Sequence, residues 1–225
     1  MIKENRMGIY LHSTHEVVIA DNVIKDDREG TYLYNSTNNH ILNNIVPDNE
    51  YFPIQLFSST LNNLINNTIS HNCIGIYFYR YSAENIVEHN KIKEGGLFIV
   101  DSTDNKVLDN ILEYRGLYVT DPGNKIKNNT LNGKQLIYLE GATDKVIEDA
   151  GQLILFQCSN ITLRNLRIQI AGVAVFLWNT NSSRILILGI LILHSSRNNI
   201  HDNEFYYNSF NVSAYNSTIE HGVKL

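Results

Sequence analysis

The phrase Ile-Leu-Asn-Asn-Ile-Val at residues 41–46 returns along the chain as Leu-Ile-Asn-Asn-Thr-Ile (64–69), Val-Glu-His-Asn-Lys-Ile (87–92), Val-Leu-Asp-Asn-Ile-Leu (107–112) and Ile-Lys-Asn-Asn-Thr-Leu (126–131). Fainter copies lie at 19–24, 163–168 and 200–205. With the first of the fainter copies included, the second polar residue of the phrase is Asn22, Asn44, Asn67, Asn90, Asn110 and Asn129, at intervals of 22, 23, 23, 20 and 19 residues. The intervals change by whole residues while the phrase survives. One short coil of backbone is therefore repeated, with the length changes taken up in turns, which is the mark of a solenoid.

Each repeat holds a second kind of strand, which starts at a glycine or a turn: 8–12, 30–34, 53–57, 75–79, 96–100 and 116–120. These alternate with a period of two, setting Ile9 and Leu11 on one face and Tyr10 and His12 on the other. Polar turns such as 36–39 and 82–85 join the two kinds of strand. No stretch keeps a helical period over three turns. Strands of three to five residues cannot bury their own apolar faces, so successive coils must stack, and matching positions become rows along an axis. Aligned Ile, Leu and Val form the interior, and the asparagine row Asn22, Asn44, Asn67, Asn90, Asn110 and Asn129 bonds its amides to neighbouring coils. A repeat of 19–24 residues with three short strands predicts an all-β fold, a right-handed parallel β-helix of about ten coils. Leucine-rich repeats share the length, but their Leu-x-x-Leu-x-Leu-x-x-Asn order does not recur.

All 225 residues are read as a single β-helix domain, a piece of a longer protein, with irregular coils from about residue 181. The enlarged turn at 46–54 gathers aromatic rings and carboxylates, and beyond Asn132 the strands continue without the Asn-Asn bend. Neither terminus reads as a cap, so flanking domains or a second copy of the chain are expected over the ends. A net charge of -5 argues against nucleic acid as a partner. The longest apolar run, residues 185–193, is too short for a transmembrane helix and reads as a buried strand. No signal peptide opens the sequence. Cys73 and Cys158 lie several repeats apart, and no disulfide is expected between them. Asn-x-Ser/Thr sequons at Asn35, Asn66, Asn128, Asn160, Asn181, Asn211 and Asn216 fit either a surface protein or plain composition.

Two groups of residues carry candidate chemistry. Asp101 and Asp121 follow equivalent strands one coil apart, about 5 Å at the spacing of paired strands, and Glu140 extends the row. Such carboxylates suit calcium, the acid and nucleophile of a glycosidase, or plain corner closure. The eight histidines are scattered, which fits solvated corners better than a converging copper site. The stronger signal is aromatic. The outward positions of the glycine-starting strands read Tyr10, Tyr32, Gln55, Tyr77, Phe98, Tyr118 in one row and His12, Tyr34, Phe57, Tyr79, Val100, Thr120 in the next. A solvent-facing file of rings and hydroxyls suits polysaccharide or surface glycan, a protein contact, or self-stacking that stiffens the sheet.

The Gly-Ile-Tyr-Leu strands, the Asn-x-Ile-x-x-Asn-x-Ile phrases and the pair of segments 131–141 and 149–161 resemble the NosD-like and carbohydrate-binding/sugar-hydrolase β-helix proteins of archaeal surfaces. The resemblance spans nearly the whole chain. It implies the pectin-lyase-like fold, a secreted or cell-surface location and contact with polysaccharide, and it supplies no catalytic residue. Pectate lyases of this fold use calcium and a basic residue, for which Arg80 and Arg115 are the candidates here. The expected function is a carbohydrate-binding or structural module. A calcium-assisted lyase or hydrolase and an adhesion scaffold are the alternatives.

Overall fold

The computed structural model describes residues 1–71, 74–163, 168, 172–181 and 217. It also describes the backbone of the strands Arg184–Ile185, Ile190–Leu193, Asn198–Ile200, Val212–Tyr215 and Ile219–Glu220. The chain forms two compact units, 1–129 and 130–225. It is all-β, a parallel β-solenoid that fits the right-handed winding expected of parallel crossovers. Among the described residues no helix is long and apolar enough to cross a membrane.

In the first unit each coil contributes three strands. The first sheet stacks Met7–His12, Glu29–Tyr34, Phe52–Phe57, Ile76–Tyr79, Leu97–Ile99 and Leu117–Val119. The second stacks Val18–Ala20, His40–Leu42, Asn63–Ile65, Ile86–Glu88, Lys106–Leu108 and Lys125–Lys127. A third face carries Ile45–Pro47, Thr68–Ser70, Lys91–Lys93 and Ile111–Glu113. All these pairings are parallel and in register, so each inward side chain lands on its counterpart in the next coil. Leu33, Leu56, Phe78 and Ile99 form one such interior file, and Ile41, Leu64, Val87 and Val107 another. All eight are fully buried.

The two residues of each Asn-Asn phrase do opposite jobs. The first, at Asp21, Asn43, Asn66, His89, Asp109 and Asn128, adopts φ between 55° and 59° and turns the chain. Asn and Asp tolerate this left-handed conformation better than other L residues because their short polar side chains bond locally. The second points inward. Its Oδ1 accepts the backbone N–H of its counterpart one coil earlier, at 3.0 Å for Asn22 to Asn44, 2.9 Å for Asn44 to Asn67 and 2.8 Å for Asn67 to Asn90. The row continues at 2.8 Å from Asn90 to Asn110 and 2.9 Å from Asn110 to Asn129. Each Nδ2 from Asn44 onward also donates to a strand carbonyl of the preceding coil, as Asn67 does to Ile41 O at 2.9 Å. A corner buried this deeply leaves its backbone N–H no water to bond; the amide oxygen supplies that partner, and the amide N–H adds a second bond to a strand carbonyl.

A second file of the same design, absent from the reading of the sequence, runs through Asn39, Asn62, Asn85, Asn105 and Asn124 between the first and second sheets. Beside it Ser36, Ser59, Ser82 and Ser102 repeat the device with hydroxyls. Glycine begins the first-sheet strands for a steric reason. A Cβ on Gly30 would lie 2.5 Å from Pro53 O, and one on Gly75 would lie 2.8 Å from Gly96 O.

The second unit opens with a sharper change than altered corners. Asn132 and Gly133, at φ 52° and 79°, make a two-residue hairpin that sets Lys134–Glu140 antiparallel to Thr130–Leu131. Parallel stacking then resumes from Lys134–Glu140 through Gln152–Phe156, Val175–Trp178, Ile190–Leu193 and Val212–Tyr215. A second sheet stacks the five short strands that begin at Val146–Ile147. Residues 190–193 of the apolar run are a strand. The burial of that run, the irregular spacing beyond 181 and Cys73 lie outside the described residues.

Candidate functional site

The alternation that buries Leu33, Leu56, Phe78 and Ile99 turns the intervening side chains of the first sheet outward. Tyr10 pairs in register with Tyr32, Tyr32 with Gln55, Gln55 with Tyr77, Tyr77 with Phe98 and Phe98 with Tyr118. His12, Tyr34, Phe57 and Tyr79 form the neighbouring row. Tyr10 is 47 % exposed, and Tyr32, Tyr34, Phe57, Tyr77, Tyr79, Phe98 and Tyr118 are half-buried. The rings touch one another along the solenoid. Centroids lie 5.4 Å apart for Tyr10 and Tyr32, 5.2 Å for Tyr34 and Phe57, 5.6 Å for Phe57 and Tyr79, and 6.0 Å for Phe98 and Tyr118.

Two residues join this face that the sequence did not assign to it. Gln55 interrupts the first aromatic row, and Phe52 fills the break by stacking on Tyr77 at 5.3 Å and 15°. Arg80, first considered as a catalytic base, lies with its guanidinium 5.6 Å from the ring centres of both Phe57 and Tyr79. That distance is within reach of a cation–π interaction. Arg80 follows Tyr79 in a left-handed corner, φ 48°, and this turn folds the side chain back over the sheet. Partial burial pushes the phenols of Tyr32 and Tyr77 above their ordinary value, with smaller contributions from Tyr10 and Glu29 near Tyr32 and from Tyr79 and Asp101 near Tyr77. Both phenols thus stay protonated hydrogen-bond donors.

Two of the acidic candidates lie at the corner that ends the first-sheet strands. Asp101 and Asp121 both follow first-sheet strands, and Thr120 Oγ1 links them by accepting from Asp101 N at 3.0 Å and donating to Asp121 Oδ2 at 2.5 Å. Arg115 precedes the strand Leu117–Val119 that Asp121 follows, so the two are held at opposite ends of that strand. Glu140 belongs to the second unit, where it accepts from Tyr138 Oη at 3.1 Å. Among the described residues three side chains with metal-ligating atoms converge at Glu88, His89 and Asp109, their atoms within 4.8 Å of one another. His71 lies at a different corner from His89, 3.4 Å from Asp48. His194, His201 and His221 lie outside the described residues. The sequon asparagines Asn35, Asn66, Asn128 and Asn160 are exposed at left-handed corners, and Asn181 is half-buried. Asn211 and Asn216 lie outside the described residues.

The sequence profile of a known family, described as periplasmic copper-binding protein (NosD), matches residues 1–113 and again 75–222. The chain belongs to the NosD family. The two matches overlap, as a repeat allows, because the NosD profile can be laid on the coils in more than one register. A search of curated proteins found no match. NosD membership agrees with the solenoid and leaves the roles of individual residues to the geometry, since one such scaffold hosts many functions.

Proposed function

We propose that this chain is an extracytoplasmic β-helix module, displayed at the cell surface or secreted, that holds carbohydrate on the ring-lined face of its first sheet. The observation that carries this reading is the file of outward tyrosines. Six in-register positions from Tyr10 to Tyr118 bear five rings and one amide, and a parallel row of His12, Tyr34, Phe57 and Tyr79 lies beside them. Rings that offer apolar surface together with a hydroxyl suit sugars, which present C–H faces and hydroxyl rims. The periplasmic location in the family's description and the resemblance to surface β-helix proteins support the compartment.

The copper in that description calls for converging imidazole, thiolate or thioether donors. The cluster at Glu88, His89 and Asp109 offers one imidazole and two carboxylates, a set suited to harder cations. Cys158 is buried, with its sulfur turned to Phe156 O at 3.3 Å, and burial pushes its thiol up. These residues do not fit copper, and no step of the proposed function runs through a metal. A lyase or hydrolase centred on Asp101 and Asp121 has less support, because the Thr120 bridge closes a corner and Arg115 precedes the strand Leu117–Val119 that Asp121 follows.

A glycan array with the purified chain, followed by calorimetric titration of the best ligand, tests the reading. Wild type is expected to bind saturably without releasing new reducing or unsaturated ends. The Tyr77→Ala/Tyr79→Ala variant, with an unchanged circular dichroism spectrum, should bind at least about tenfold more weakly, the equivalent of about 1.4 kcal/mol. Unchanged affinity in that folded variant would refute it.

A further inference from the structure

We infer that the ligand of this face is an extended, unbranched glycan lying parallel to the solenoid axis, with one sugar over each coil. The inference rests on the carbohydrate reading above and adds the ligand's shape and length. In-register parallel stacking repeats the same chemical groups once per coil, a step of about 4.8 Å between paired strands. Splaying of the side chains widens this to ring-centre steps of 5.1 to 6.5 Å along the outer rows. One pyranose in an extended chain advances by a comparable length. A coiling or branched chain leaves the row after one or two coils.

The tilt of the rings sets the kind of contact. Tyr34 faces Phe57 at 27°, Tyr77 faces Phe52 at 15° and Tyr77 faces Tyr79 at 11°. Other pairs meet edge-on, Phe57 with Tyr79 at 66° and Tyr77 with Phe98 at 74°, so the face offers the ligand both ring surface and phenol hydroxyls. Raised phenol values at Tyr32 and Tyr77 keep those hydroxyls as donors. Contacts of this kind are individually weak and accumulate with each sugar. The second row carries rings from His12 to Tyr79 and then passes to Val100 and Thr120, so the doubly lined stretch covers the first four coils and the singly lined one all six.

Calorimetry with β-1,4-linked glucose and N-acetylglucosamine oligomers from dimer to octamer tests the inference, with α-1,4-linked glucose oligomers as the coiling control. Affinity for the extended series should rise about fivefold per sugar, the worth of one net hydrogen bond. The rise should be steepest up to the tetramer and level off at the hexamer, while the α-linked series stays flat beyond the trimer. Tyr10→Ala, which removes the exposed end of the row, should bring the plateau forward by one sugar. Binding that is independent of length, or equal for the two linkages, overturns this inference and leaves the carbohydrate reading standing. No binding by any oligomer, together with a blank array, overturns both.

Discussion

Asn67 and its neighbour Asn66 differ only in the side of the corner on which they lie, and removing each tests what holds the solenoid together. Asn67 is 1 % exposed. Its Oδ1 accepts from Asn44 N at 2.9 Å, and its Nδ2 donates to Ile41 O at 2.9 Å and to Asn90 Oδ1 at 3.0 Å. In Asn67→Ala, Asn44 Nδ2 keeps its bond to Ile19 O and Asn90 Oδ1 keeps the backbone N–H of residue 67. Asn44 N–H loses its partner in a place water cannot reach, and Ile41 O, inside the strand paired with Asn63–Ile65, loses a second bond. At about 1–3 kcal/mol for the orphaned N–H and about 1 kcal/mol for the second bond lost at Ile41 O, the variant should lose about 2–4 kcal/mol. Asn66→Ala removes an exposed side chain whose amide donates to Asn43 Oδ1 at 2.9 Å, and it places Ala at φ 56°. The left-handed conformation costs Ala about 1–2 kcal/mol, and the exposed bond adds little. Urea denaturation followed by circular dichroism measures both. Equal losses in the two variants, or a loss under about 1 kcal/mol for Asn67→Ala, would refute the assignment of stability to the buried amides.

Three further outcomes follow from the same geometry. Asp27 occupies a corner whose counterpart Asn49 donates from Nδ2 to Ile24 O and Pro47 O, yet Asp27 Oδ2 is buried with no partner. Asp27→Asn should therefore raise stability by about 1 kcal/mol, the worth of one net hydrogen bond, and a destabilised variant in the same denaturation assay would contradict this. Gly30→Ala forces a methyl to 2.5 Å from Pro53 O and should cost about 1–3 kcal/mol, whereas Gly133→Ala meets no neighbour within 4 Å and pays only for its φ of 79°. Finally, the phenols of Tyr32 and Tyr77 are raised from 10.0 by burial, so the fold favours their protonated forms. The stability they contribute is complete below pH 10.0 and is lost as pH climbs through the folded values. A spectroscopic alkaline titration should show these two phenols ionising above their ordinary value, and the difference should vanish on unfolding.

Much of the molecule could be read from the order of its residues. A polar pair between apolar anchors, recurring at 19 to 23 residues, requires stacked coils, since no other arrangement buries anchors so close together. A period of two then separates Leu33 and Phe78 from Tyr34 and Tyr79, because a strand's side chains alternate whatever surrounds it. Tertiary structure decided the rest. The file Asn39, Asn62, Asn85, Asn105 and Asn124 has the same intervals of 23, 23, 20 and 19 residues, but its corners are turned by Asn38, Leu61, Glu84, Asp104 and Gly123. A left-handed corner constrains only the backbone, so these residues share no side-chain signature, and the file emerges only when coils are laid over one another. Phe52 and Arg80 join the aromatic face for the same reason: one opens a first-sheet strand and the other turns the corner after one, and local pattern does not encode where a side chain lands beside a turn. Sequence determines which residues repeat and which face they take. Stacking determines which of them meet, because neighbours along the axis are some twenty residues apart in the chain.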